Sequence, residues 1–237
     1  HIKTDSPEPA GKCLGCDHEI ADVVINGKQV RQVTYNMEPF LRQCVEAYLQ
    51  LSGKTEASLK AAATPFLDEG ILEKEVGGLS EEQGKGKLQH IAASVLMKIQ
   101  CAARVARFDL LKAVAALAAK VSKWDYACDR KLHRLVSDLR SSYDLRMKGH
   151  VGDSLSDLYV SLYSDADFAS DKETSKSTSG IFIALEGPCT FVPLNAMSKK
   201  QTVVSHSTPE AEIVAADAAL RLEGLPSLQL WDRVLGR

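Results

Sequence analysis

Apolar residues recur at helical spacing through much of the first half of the chain. In the segment 35–51 the apolar side chains that repeat every three or four positions are Phe40, Leu41, Cys44, Val45, Tyr48 and Leu49. This period places them on one face of a helix, and Gly53 follows as a stop signal. The same reasoning predicts three further helices, over residues 87–105, 109–122 and 125–142.

The segment 109–122 differs from its neighbours because it is apolar on almost every side. A helix without a polar face is normally buried, so we expect it to be the most buried helix, packed between the other two. The following helix carries four basic residues among its apolar ones, namely Arg130, Lys131, Arg134 and Arg140. These residues form either a solvated face or a face that contacts phosphates.

The hydrophobic period changes from helical to alternating after residue 156. Alternate apolar residues from Leu158 to Leu162 fall on one side of a strand that runs directly into Asp165. Two more strands are predicted over residues 180–185 and 190–194, with a turn between them. The pattern therefore predicts a three-stranded antiparallel meander.

A helix is predicted after this meander. The sequence Ser207-Thr208-Pro209-Glu210 has the features of a helix N-terminus. Thr208 suits the N-cap and Pro209 the first helical position, while acidic side chains suit the positive end of the helix dipole.

These elements together predict an α/β chain of the α+β type. Residues 1–148 are expected to form a mainly helical part, and residues 157–237 a smaller part with the meander and its helix. The polar segment 149–156 is expected to be the linker between them.

The composition limits the classes of function. With 45 % hydrophobic residues, a chain of 237 residues can bury a substantial core. Its formal charge of −2 and pI near 6.3 give no overall positive field, which argues against a protein that holds nucleic acid mainly through charge. No run approaches the roughly 20 apolar residues of a membrane span, so we expect no membrane partner.

Six cysteines are too sparse for a disulfide scaffold and suit a reducing, intracellular compartment, either cytoplasm or nucleus. Cys13, Cys16 and His18 have a spacing that invites a zinc interpretation, but a structural site needs four ligands and no second close pair follows. The simpler interpretation is a short strand or turn over residues 14–16, with both thiols packed as small hydrophobic groups.

Two carboxylates occupy positions from which a divalent-metal site could start. Asp165 lies at the end of a predicted strand and Glu212 in the first turns of the predicted helix. Hard cations such as Mg²⁺ take oxygen ligands, and two-metal phosphodiester hydrolysis needs several converging carboxylates. Two carboxylates alone are too few, and acidic residues are common at such positions.

Four short motifs follow one another in this part of the chain: YSDADFA at 163–169, KSTSG at 176–180, SKKQ at 198–201 and STPEAE at 207–212. Their order and approximate spacing resemble the ribonuclease H domain of copia-type retrotransposon polyproteins. The helical residues upstream resemble the segment that joins reverse transcriptase to ribonuclease H in the same family. The resemblance covers about residues 87–223, and it extends more weakly to the end of a polymerase domain near residues 14–16 and 63–65.

The resemblance implies hydrolysis of the RNA strand of an RNA/DNA hybrid during reverse transcription. Asp165 matches the first catalytic aspartate of the family and Glu212 its catalytic glutamate, so both would bind Mg²⁺ or Mn²⁺. Lys199 and Lys200 precede the catalytic helix, where contact with the phosphates of a hybrid is expected. The implied partners are the RNA/DNA hybrid and the rest of the polyprotein.

The same resemblance implies that parts of the family's machinery are missing. The polymerase's Tyr-x-Asp-Asp hairpin has no counterpart here, and the strand and helix that carry the third and fourth aspartates should follow Arg237. We therefore expect a truncated ribonuclease H-like domain that binds metal weakly and need not be active. The alternative is a non-catalytic helical module from a decayed element, which binds protein or nucleic acid through residues 125–142, with Arg130 and Arg134 as contacts.

Overall fold

An antiparallel sheet lies at the centre of the computed structural model, which describes residues 11–67, 72, 84–171 and 174–235. In these residues the strands are β1 (Lys12–Cys13), β2 (Cys16–Ile25), β3 (Lys28–Asn36), β4 (Met147–Val151), β5 (Tyr159–Asp167), β6 (Thr178–Gly187) and β7 (Thr190–Lys200). Their order across the sheet is β1-β2-β3-β4-β7-β6-β5. The predicted meander is confirmed as β5-β6-β7, with β6 and β7 longer than expected.

Helices cover both faces of this sheet. The α-helices in the described residues are α1 (Glu38–Ser52), α2 (Gln89–Val105), α3 (Leu111–Ala118), α4 (Tyr126–Ser141), α5 (Thr208–Ala219) and α6 (Leu225–Leu235), with a π-helical turn between the last two. The mixed α+β class is thereby confirmed. None of the helices in the described ranges is long and apolar enough to cross a membrane.

The main core lies in the helical layer formed by α1 to α4. Fully buried side chains from each of these helices pack together there, including Tyr48, Ile99, Val114 and Leu135. The layer rests on one face of the sheet through half-buried side chains of three strands, namely Tyr35, Met147 and Ala196. Helix α5 packs on the other face, where Ala211 and Ala215 are buried against Ala166 of β5.

The long hairpin of β2 and β3 was missed by the sequence analysis, which expected mainly helix in this part of the chain. Its turn consists of Asn26 and Gly27, both at positive φ (51° and 77°). An Asn-Gly pair is the preferred sequence for a two-residue hairpin turn because both positions require positive φ. The prediction that a helix begins at residue 35 was therefore wrong. Tyr35 belongs to β3, and α1 begins at Glu38 with Pro39 in its first turn.

The helix predicted over residues 109–122 is shorter in the structure and has an exposed side, although it packs between α2 and α4 as expected. A 3-10 turn over Phe108–Leu110 precedes α3, which ends at Ala118. Leu111, Val114 and Leu117 face the core, whereas Lys112 and Ala116 are exposed. Alanine is compatible with either environment, so an Ala-rich segment does not reveal which face is solvated.

Part of the expected linker at 149–156 is strand. Residues 149–151 belong to β4, which pairs with β3 and, at His150, with β7. Gly149 suits this position because an added Cβ would lie 3.3 Å from Val192 and 3.5 Å from Val33. The glycine that suggested a linker instead permits close packing on the sheet.

Candidate functional site

The four C-terminal motifs meet at one end of the sheet, which we call the motif end. β5 ends in the motif 163–169 and β7 in the motif 198–201, while β6 begins in the motif 176–180. Since antiparallel neighbours run in opposite directions, the end of one strand lies beside the start of the next. Helix α5 begins in the fourth motif, 207–212.

A buried amide joins three of these motifs. The side chain of Gln201 donates hydrogen bonds from Nε2 to Ser179 Oγ (3.0 Å) and to the carbonyl oxygen of Ala211 (2.9 Å). Its Oε1 accepts a hydrogen bond from Ser205 Oγ (3.3 Å), and its backbone N–H donates to the carbonyl oxygen of Ser177 (2.9 Å). Gln201 was missed by the sequence analysis, because a single glutamine after a strand carries no distinctive signal.

We expect Gln201→Ala to lower the free energy of unfolding by about 2 to 4 kcal/mol, because several buried polar groups then lose their partners. Urea unfolding followed by circular dichroism measures this change. Gln29→Ala is the matched control, since Gln29 is exposed on β3. If Gln201→Ala and Gln29→Ala had equal free energies of unfolding, the hydrogen bonds of Gln201 would not stabilise the motif end.

Strand β5 is held in register with β6 by a carboxylate. Glu186 accepts hydrogen bonds from Tyr163 Oη (2.9 Å) and from Ser161 Oγ (2.9 Å). The hydrogen bond to Glu186 raises the pKa of Tyr163, since it favours the protonated phenol. These odd-numbered side chains lie on one face of β5.

Ala166 shows which face of β5 receives α5. It is buried together with Ala211 and Ala215, and small side chains allow the helix to approach the strand closely. Further along the strand, a Cβ added to Gly224 would lie 3.1 Å from Leu162. The even-numbered side chains of β5 therefore point towards α5.

Asp165 lies on the opposite face of β5 from α5. Alternation along the strand directs Asp165 and Asp167 away from Ala166, towards the face that carries α3. Lys112 of α3 forms an ion pair with Asp167, and Asp165 borders an open cavity of about 330 Å³ between the sheet and the start of α3. The side chain of Asp165 is exposed there.

Glu212 lies on the flank of α5, next to the buried Ala211, and is half-buried. The helix begins one residue earlier than predicted, because Ser207 rather than Thr208 is the N-cap and its Oγ accepts a hydrogen bond from the Glu210 N–H. Glu210 accepts a hydrogen bond from the His206 N–H (2.7 Å), which completes a capping arrangement. Glu210 thus stabilises the helix start.

The described residues do not assemble a complete magnesium site. Asp165 and Glu212 have the oxygen ligands that Mg²⁺ prefers, but they belong to elements on different faces of β5. Within the described ranges, no three His, Cys, Asp or Glu side chains come together as a metal-binding group. As they are placed, the two carboxylates therefore do not fit a shared metal ion.

Of the four basic residues expected to contact nucleic acid, Lys200, Arg134 and Arg130 interact with other residues of the chain. Lys200 forms an ion pair with Asp171, and Arg134 Nε donates a hydrogen bond to the carbonyl oxygen of Thr64 (2.9 Å). Lys199 is exposed at the end of β7, whereas Arg130 is half-buried on α4. Arg134 thus helps to hold the segment around Thr64 against α4.

The Cys13 and Cys16 segment forms a tight turn. Cys13 and Cys16 pair across β1 and β2, and the intervening Leu14 and Gly15 have φ of 51° and 80°. Cys16 is fully buried, and this burial raises the pKa of its thiol to about 11. The nearby His18 forms a hydrogen bond between Nδ1 and the carbonyl oxygen of Gly11 (2.8 Å).

Comparison with known proteins supplies no further identification. No family model, no curated protein and no solved structure matches this chain.

Proposed function

We propose that this chain is part of a retrotransposon polyprotein whose ribonuclease H domain hydrolyses the RNA strand of RNA/DNA hybrids. The observation that carries the proposal is the gathering of the four motifs at the motif end of the sheet. Binding and catalytic residues commonly lie on loops and strand ends that a rigid scaffold positions, as these motifs do.

The roles of individual residues follow from this proposal. The resemblance assigns the binding of Mg²⁺ or Mn²⁺ to Asp165 and Glu212, which would have to come to the same side of β5 to share an ion. Lys199 contacts a phosphate of the hybrid from the end of β7. Gln201 positions α5 relative to the strands through its hydrogen bonds to Ser179 and Ala211.

A non-catalytic module that binds through α4 is the less well supported alternative. Arg134 Nε donates to Thr64, and the Arg140 guanidinium donates to Glu56 Oε1 (2.9 Å) and to the carbonyl oxygen of Leu59 (3.1 Å). These bonds stabilise the segment packed on α4, which is a structural use of the two arginines.

The test is cleavage of a labelled RNA/DNA hybrid by a longer polypeptide that continues past Arg237, in the presence of Mg²⁺ or Mn²⁺. We expect cleavage of the RNA strand only, and its loss in both Asp165→Asn and Glu212→Gln. Asp157→Asn is the control, because it makes the same change at an exposed residue before β5. Absence of cleavage by the longer polypeptide, or cleavage that survives both substitutions, would contradict the proposal.

A further inference from the structure

A second cavity lies away from the motif end, in the helical layer. Its volume is about 440 Å³, and it is bounded by the segment 62–66, the end of α4 and the residues that follow α4. Three of the side chains around it are acidic, namely Asp109, Asp138 and Asp144, and its larger apolar side chains are Pro65, Phe66 and Leu145. A cavity of this size accommodates a small organic molecule.

Asp138 is the unusual member of this set. It is only 5 % exposed, yet among the described residues its carboxylate accepts no hydrogen bond. Two cations act on it through their charge, Arg107, which is itself 2 % exposed, and Arg134 of the same helix. Burial raises the pKa of Asp138 because the charged carboxylate is poorly solvated, although Arg107 opposes this effect.

Arg107 does not supply the missing partner, because its donors are used elsewhere. Its Nε and Nη2 donate to the carboxylate of Asp109 (2.9 and 2.8 Å). Its Nη1 and Nη2 donate to the carbonyl oxygen (3.1 Å) and the Oγ (2.8 Å) of Ser142. The Asp138 carboxylate thus interacts with Arg107 and Arg134 only through their charge and accepts no hydrogen bond among the described residues. A buried polar group without a hydrogen-bond donor is costly.

We propose that this cavity binds a small organic cation, an alkylguanidinium or alkylammonium, whose N–H groups donate to Asp138. A charged N–H donor supplies the hydrogen bonds that Asp138 lacks, and its positive charge strengthens them. Asp144, at the exposed side of the cavity, adds a second negative charge.

The cavity favours an organic cation over a divalent metal ion. No three carboxylates in the described part of the chain converge as a metal-binding group, and a divalent ion needs about six oxygen ligands. Pro65, Phe66 and Leu145 instead offer an apolar wall for the alkyl part of the ligand. The ring of Phe66 already has the ammonium of Lys112 6.0 Å from its centroid, which is compatible with cations near this face.

The test compares three probes of similar shape by isothermal titration calorimetry with the full 237-residue chain. Ethylguanidinium and propylammonium carry the positive charge, whereas ethylurea is neutral. We expect saturable binding of at least one cation and no comparable binding of ethylurea. Asp138→Asn should weaken cation binding about tenfold or more, the effect of one charge-assisted hydrogen bond.

Two further variants keep this test decisive. Asp22→Asn is the matched control, since Asp22 is exposed on β2, far from the cavity in the sequence and outside its lining. If Asp138→Asn does not fold, Asp144→Asn must weaken cation binding relative to Asp22→Asn. Equal binding of ethylurea and the cations, no saturable binding of either cation, or unchanged affinity in Asp138→Asn would overturn the proposal.

Discussion

Leu117→Asp is expected to unfold the helical layer. Leu117 is 4 % exposed and belongs to the main core, where α3 packs against α2 and α4. The substitution removes a buried apolar side chain and introduces a carboxylate without a partner. Together these effects cost about 4 kcal/mol or more, a large share of the roughly 5 to 15 kcal/mol that holds a typical domain folded.

Circular dichroism at 222 nm during thermal and urea unfolding measures the effect, with Ala116→Asp as the matched control. Ala116 lies on the same helix but is exposed, so the same new side chain there should change stability by less than about 1 kcal/mol. If Leu117→Asp had the same free energy of unfolding as Ala116→Asp, Leu117 would not contribute to the core.

The helices and the meander could be predicted because their hydrophobic periods are strong and local. The end of α1 shows this, since Gly53 adopts the left-handed conformation (φ 65°) that a terminal glycine favours. The β2–β3 hairpin was missed although Asn26-Gly27 is a strong hairpin signal. Only Cys16 and Val30 of its strand residues are buried, so its hydrophobic alternation is weak.

The position of Asp165 in the chain could be predicted, but not the face of the sheet on which it lies. Alternation requires that Asp165 and Ala166 point in opposite directions, and this much follows from the sequence. Which of the two faces receives α5 depends on packing between distant segments. In the structure Ala166 contacts α5, because Ala211 and Ala215 pack against it. The expectation that Asp165 and Glu212 bind the same metal ions assumed instead that the Asp165 side chain faces α5.

We expect the 237-residue chain by itself to leave an RNA/DNA hybrid uncut. Two-metal hydrolysis requires two ions held about 3.5 to 4 Å apart by several carboxylates. Asp165 and Glu212 lie on elements that occupy different faces of β5, and the described residues bring no third metal-binding side chain to them. Water would therefore occupy most of the coordination shell of any bound ion, so metal affinity should be weak.

This expectation is measured by incubating the chain with a labelled hybrid and Mg²⁺ or Mn²⁺, and by calorimetric titration of each metal. The parent chain and Asp165→Asn should give the same uncut substrate and similarly weak metal binding, because Asp165 alone does not complete a site. The longer polypeptide that continues past Arg237 serves as the positive control, since it tests the same hybrid under the same conditions. Cleavage by the 237-residue chain that disappears in Asp165→Asn would contradict the expectation. It would mean that Asp165 and Glu212 approach each other around the edge of β5 when metal and substrate bind.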